Sequence, residues 1–142
     1  MKKITILKYR VEPDRYSQSS KQSYGHEIRS RQKYYEDIEY VCRSCGRKDI
    51  YSAFEQKKAY ENRKDYICCT RVLCQKCWRN KRNLLKLAHE MEKQYCLNKQ
   101  VHLNSEKFLR EWLHVLCEYK KYSYRFNHQR IRFIERHLEK FT

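Results

Sequence analysis

The sequence predicts a small α+β protein in which short β-hairpins form a compact central unit and a mainly helical C-terminal region follows. Two observations carry this prediction. The segment from Tyr40 to Lys81 contains two Cys-x-x-Cys pairs, Cys42 with Cys45 and Cys74 with Cys77, flanked by β-branched and aromatic residues. From Trp78 onward the apolar residues instead recur at spacings of three and four, the period of amphipathic helices. With 142 residues the chain has little room for two full hydrophobic cores, so the central unit is expected to draw stability from a bound metal.

Residues 2–11, KKITILKYRV, read as a short strand that Pro13 ends. From Glu12 to Arg31 no apolar period survives, and the stretch reads as an extended, mobile arm. Tyr16 and Tyr24, interleaved with Lys21, Arg29 and Arg31, could stack on bases there or simply lie in solvent. Residues 34–41 alternate as a strand entering the first cysteine pair. Gly46 supplies the positive φ that a metal knuckle needs, and residues 49–51 return as the second strand. Ser52 and Glu55 form a capping box that opens a helix at Ala53, expected to run to Tyr60 or Glu61 with Asn62 as its left-handed close. Residues 66–73, YICCTRVL, read as a strand that delivers the second pair.

Three helices are expected beyond it. The first leaves the second cysteine pair with Leu84, Leu85, Leu87, Ala88, Met91 and Tyr95 on one stripe. The second is capped by Asn104 or Ser105 and carries Phe108, Leu109, Trp112, Leu113, Leu116 and Cys117. The third spans about residues 126–141 with Ile131, Phe133, Ile134 and Leu138. The expected organisation is a basic, partly disordered arm over 1–33, a four-cysteine metal unit over 34–82 and a helical region over 83–142.

Two Cys-x-x-Cys turns place four soft sulfurs around one tetrahedral ion, which predicts Zn2+ held by Cys42, Cys45, Cys74 and Cys77. With every position filled by protein, the metal is structural and leaves no place for a substrate. Eight cysteines could instead pair as disulfides, so compartment matters. Only Ile4–Leu7 separates Lys3 from Lys8, too short for a secretory signal, and no long apolar run follows. A cytoplasmic protein without a membrane span is therefore expected, where metal is favoured over disulfide. Cys68 and Cys69 lie beside the second pair; either could replace a ligand, or both could be small buried apolar residues, as could Cys96 and Cys117.

The order of these parts, a Cys-x-x-Cys-Gly knuckle between strands and a second Cys-x-x-Cys opening a helix, is that of a treble-clef finger. Cys42, Cys45, Gly46, Tyr51, Ser52, Ala53, Glu55, Gln56, Cys74 and Cys77 resemble, position by position, the bacterial probable zinc-binding domain of treble-clef or zinc-ribbon type. The resemblance covers roughly residues 35–82 and implies zinc binding with no defined activity. The chain departs from it in lacking a glycine to close the central helix and in carrying the extra thiols Cys68 and Cys69.

Lys and Arg outnumber Asp and Glu by 33 to 17, a formal charge of +16, which predicts attraction to polyanions, with nucleic acid the commonest. Arg43, Arg47, Lys48, Arg71 and Lys76 could lie near a four-thiolate centre whose net charge is negative. Lys76, Trp78, Arg79, Lys81 and Arg82 crowd the start of a helix, a place where the dipole disfavours cations. They either serve the metal sulfurs or present charge and one stacking face to nucleic acid. Lys120, Lys121, Arg125, Arg130, Arg132 and Arg136, with Tyr119, Tyr122, Tyr124 and His128 between them, form a second aromatic-basic mixture of the kind that single-stranded nucleic acid binders use. The reading is a non-enzymatic, basic module that binds RNA or DNA without sequence preference. The alternative is a protein-interaction or scaffold module. The histidines His89, His102, His114, His128 and His137 show no catalytic spacing, and two glycines cannot make a phosphate loop, so neither an enzyme nor a small-molecule substrate is expected.

Overall fold

The computed structural model describes residues 9–142, with backbone only at 28–30. Most of the strand expected over 2–11 therefore lies outside the described residues. The chain divides into two compact units after Cys74.

In the first unit β1 (Tyr9–Arg10) pairs antiparallel with β2 (Tyr34–Tyr35), Tyr9 opposite Tyr35. Between them lies a correction to the expected mobile arm. A 3-10 turn (Pro13–Arg15), α1 (Gln18–Lys21) and α2 (Tyr24–Ser30) fold there, and Tyr16 and Ser20 are buried. Polar anchors replace the missing apolar period. The Ser20 hydroxyl accepts from the Ile67 amide at 3.0 Å, and Ser17 caps α1 through the Ser20 amide at 3.2 Å. The largest anchor is Glu61, whose side chain is fully buried. Its Oε1 accepts from the Glu12 amide at 2.7 Å and from the Tyr35 hydroxyl at 3.1 Å, while Oε2 lies 2.8 Å from Lys57 Nζ and 3.8 Å from Arg15 Nη1. Burial, followed by the neighbouring Tyr16 hydroxyl and the Glu61 carboxylate, raises the Tyr35 hydroxyl well above its ordinary pKa, so it remains a donor.

The expected hairpin forms from β3 (Ile38–Val41) and β4 (Lys48–Tyr51), in the register Ile38 to Tyr51 and Val41 to Lys48, but the strand expected over 34–41 breaks before Ile38, its first residues pairing with β1 instead. Next comes α3 (Ala53–Lys57), with both halves of the Ser52–Glu55 capping box made and the Ala53 amide held by Asp37 Oδ1 at 2.7 Å. The helix does not continue as α to Glu61. It widens into a π-helix over Lys58–Asn62, where the Arg63 amide reaches back to the Lys58 carbonyl. The left-handed residue is Lys64, φ 62°, two positions beyond the expected Asn62, because the wider turn delays closure.

Residues 66–73 form no strand. Their polar groups are used singly: the Ile67 amide by Ser20, the Cys69 carbonyl by the Tyr60 hydroxyl at 3.0 Å, and the Leu73 carbonyl by the Tyr40 hydroxyl at 3.0 Å. The core of this unit is Val11, Tyr16, Tyr35, Tyr51, Ala53, Ala59, Tyr60 and Ile67. Four of these are tyrosines that need hydroxyl partners, so the unit is specified as much by hydrogen bonds as by apolar area.

The second unit contains four α-helices: α4 (Gln75–Leu97), α5 (Lys99–Leu103), α6 (Glu106–Lys120) and α7 (His128–Leu138), followed by a 3-10 turn over Glu139–Phe141. The short α5, capped by Asn98, has no counterpart among the three expected helices. Ser105 caps α6 through the Phe108 amide, and Asn127 caps α7 through the Arg130 amide at 2.9 Å, which moves the start of α7 from the expected 126 to His128. Tyr95, Leu109, Trp112, Ile134 and Leu138 form the core, with Met91, Leu103, Phe108, Leu113, Leu116 and Phe133 packed against them. Among the described residues no helix is long and apolar enough to cross a membrane.

Candidate metal centre and basic surfaces

The first knuckle follows β3. The Cys42 amide donates to the Arg47 carbonyl at 2.8 Å and the Gly46 amide to the Cys42 carbonyl at 2.9 Å, with Gly46 at φ 72° as the sequence required. A bond from the Arg43 amide to the Val72 carbonyl, at 2.8 Å, brings the strand-less segment alongside the knuckle. Cys74 ends that segment, and Cys77 sits in the first turn of α4.

The sulfurs of Cys42, Cys45, Cys74 and Cys77 all lie within 4.8 Å of one another. Cys45 Sγ and Cys74 Sγ are 3.6 Å apart. Four sulfurs bonded to one zinc at about 2.3 Å stand roughly 3.8 Å from each other in a tetrahedron, whereas a disulfide needs about 2.05 Å. All eight cysteines are free, so the arrangement is that of a metal shell. Burial acts to raise the Cys42 thiol, but the backbone amides of Cys45, Cys74 and Ser44 and the Cys45 side chain outweigh it and bring it down to about 6. The site therefore favours a thiolate, the form a metal binds. Cys42, Cys74 and Cys77 are buried and Cys45 is exposed. Cys68, Cys69, Cys96 and Cys117 are exposed and lie outside the cluster, which corrects the expectation that they are buried apolar residues. In the turn at 67–68 only Ile67 reaches the core.

The Ser-Ala-x-Glu-Gln run acquires a physical role at each position. Ser52 caps, Ala53 is buried, Glu55 completes the box and binds Arg71 at 3.1 Å, and buried Gln56 donates to the Glu36 and Tyr51 carbonyls at 2.6 and 2.9 Å. Arg71 is held by Glu55, with its guanidinium 4.6 Å from the Tyr51 ring centre, and Lys48 pairs with Glu39.

The residues expected to meet nucleic acid separate into distinct environments. On α4, Lys76, Trp78, Arg79 and Arg82 are exposed, and the Arg82 guanidinium lies 4.8 Å over the Trp78 ring. Lys81 is half-buried on the side of α4 that carries Cys77, Leu84 and Ala88, so it does not share their face. The same outer surface of α4 carries Lys86, His89 and Lys93 beside Trp78, Arg79 and Arg82, residues that the sequence reading did not join to them. Their basic recurrence at helical spacing is present in the sequence, on the same stretch as the apolar recurrence of Leu84, Ala88 and Met91. Lys121 is paired with Glu118 at 2.7 Å, and Lys120 Nζ lies 5.2 Å from the Phe126 ring centre. Arg125 and Arg132 are exposed.

Arg130 lies in a different setting from Arg125 and Arg132. Its guanidinium lies 5.2 Å from the ring centres of Tyr95, Trp112 and Phe133 and pairs with Glu92, so it packs on the helical core and is only partly exposed.

Residues 36–84 match the family model described as "Probable treble clef domain", a little over a third of the chain. Neither the curated proteins nor the solved structures searched give a match. The matched residues span the hairpin, the capping box and all four clustered cysteines; the segment is similar to a treble clef, and its four-cysteine cluster fits a metal-binding domain of undefined function.

Proposed function

We propose that the chain is a non-enzymatic nucleic-acid-binding protein whose treble clef is held by one structural Zn2+. Zinc is the ion that best suits four thiolates at these separations, and the filled shell leaves no coordination position for a substrate. The observation that carries the binding reading is the state of the basic residues on α4. Among the described residues no ion pair neutralises Arg79, Arg82, Lys86 or Lys93, whereas Arg110, Lys121 and Arg130 each have a carboxylate partner. Free cations aligned on one exposed face are suited to phosphates, and they accord with the excess of 33 Lys and Arg over 17 Asp and Glu.

Nuclease-treated, zinc-quantified protein titrated with short RNA and DNA across a salt series tests this. The affinity should fall steeply with salt; binding that is absent, or unchanged between low and moderate salt, contradicts it.

A second reading rests on the treble-clef hairpin. Val41 and Ile50, on the same face of the β3–β4 ladder, are 60% and 55% exposed, a feature suited to a protein partner. A protein that co-purifies after nuclease treatment and is released by Val41→Lys and Ile50→Lys would favour it.

A further inference from the structure

Helix α4 carries its free cations in a geometry more specific than a basic patch. At 100° per residue, Trp78, Arg79, Arg82, Lys86, His89 and Lys93 fall within an arc of about 100°, and from Trp78 to Lys93 they extend over roughly 22 Å. All six are exposed. Glu90 is the one carboxylate among the residues lining this face. The opposite side of the helix carries Cys77, Ala88 and Tyr95, which are buried, so the stripe is presented by a helix fixed from behind.

We infer that α4 is a duplex-reading element that lies in the major groove of B-form DNA, an assignment that rests on the nucleic-acid reading above and narrows it to one form. The groove is about 12 Å wide and admits a helix, which with its side chains is about 10–12 Å across. Cations along one rod-like face can meet the phosphates bordering the groove. Single-stranded ligands fit less well. They are held by successive aromatic platforms, and this face has one indole, already covered by the Arg82 guanidinium. Double-stranded RNA fits less well too, since its major groove is deep and too narrow for side chains to read. His89 and Asn83 present hydrogen-bonding groups on the same surface.

The test is a titration of the full zinc-loaded chain with a DNA duplex, the double-stranded RNA of the same sequence and the corresponding single strands, with dimethyl sulfate footprinting of the DNA complex. The duplex DNA should bind roughly tenfold or more tighter than the other three, with guanine N7 protected in the major groove. Replacing Arg82, Lys86 and Lys93 together by Gln should weaken that binding roughly tenfold or more and lower the logarithmic salt slope by about 2.7. The same change at Lys120, Lys121 and Arg125 should have the smaller effect. Equal or tighter binding of RNA or single strands, unprotected guanine N7, or a triple variant that binds like the wild type overturns the major-groove assignment while leaving nucleic-acid binding in place. No binding to any of the four forms removes both.

Discussion

Replacing Glu61 by Ala should unfasten the N-terminal segment from the treble clef. The carboxylate is fully buried and satisfies the Glu12 amide, the Tyr35 hydroxyl and the Lys57 ammonium, with Arg15 at the edge of reach. Its removal leaves the Glu12 amide without its acceptor, at a cost of about 1–3 kcal/mol, while the Tyr35 hydroxyl keeps the Tyr16 oxygen at 2.9 Å. Breaking a buried ion pair by deleting one partner costs about 3–5 kcal/mol. Lys57 keeps Glu12 as a partner at 3.2 Å and its side chain is 23% exposed, so solvent screening places the total near the lower end, about 3 kcal/mol. For a unit of this size that corresponds to a fall in Tm of roughly 12–24 °C. Glu61→Gln keeps an acceptor but loses the charge and should cost about half as much.

The assay is thermal unfolding of the zinc-loaded protein together with residue-resolved hydrogen exchange. The Glu12 amide should lose protection first, followed by the β1–β2 pair. The amides of α6 and α7 should be unchanged, because each unit has its own core. A loss below about 1 kcal/mol, or a fall in protection spread equally over α6 and α7, would refute the view that this carboxylate is what folds residues 12–30.

Further outcomes follow from the same contacts. Arg130→Ala should destabilise the helical unit by about 1–2 kcal/mol, through the loss of its packing on three aromatic rings, with Glu92 left to solvent, yet leave the salt slope of nucleic-acid binding unaltered; a changed slope would return Arg130 to the binding face. Gly46→Ala meets no neighbour within 4 Å, so its cost should be the left-handed backbone alone, about 1–2 kcal/mol, visible as weaker metal retention against a chelator. Hydrogen bonds from Lys57 and Arg15 hold the Glu12 carboxyl below its ordinary value of 4.5. A lowered carboxyl contributes stability that is fully present above pH 4.5 and is lost as pH falls through the folded value, so Glu12→Gln should flatten the acid limb of the stability profile and leave neutral pH little affected.

What could be read from the sequence was whatever rests on local chemistry. Cys-x-x-Cys spacing, Gly46 and the Ser52–Glu55 box each act over a few residues, so the knuckle, its hairpin and the start of α3 were legible. The folding of residues 12–30 was not, because it depends on Ser20 meeting Ile67 and Glu12 meeting Glu61 across more than forty positions. The β-branched run at 66–73 imitates a strand, but its backbone groups serve separate partners, and periodicity cannot register that. The setting of Arg130 was not legible for a similar reason. Its charge counts toward a basic cluster in the sequence, while its place among Tyr95, Trp112 and Phe133 is a fact of packing.

The metal stoichiometry of the full chain, measured with elemental analysis and with the visible spectrum after cobalt substitution, tests the organising role of the four sulfurs most directly. The account predicts one zinc per chain and the ligand-field bands of a tetrahedral tetrathiolate. Both should be lost, along with protection of the β3–β4 hairpin, in Cys42→Ser or Cys77→Ser, and both should be kept in the Cys68→Ser, Cys69→Ser double variant. A folded chain without metal, or a tetrathiolate spectrum that survives Cys42→Ser and disappears with Cys68 and Cys69, would contradict it.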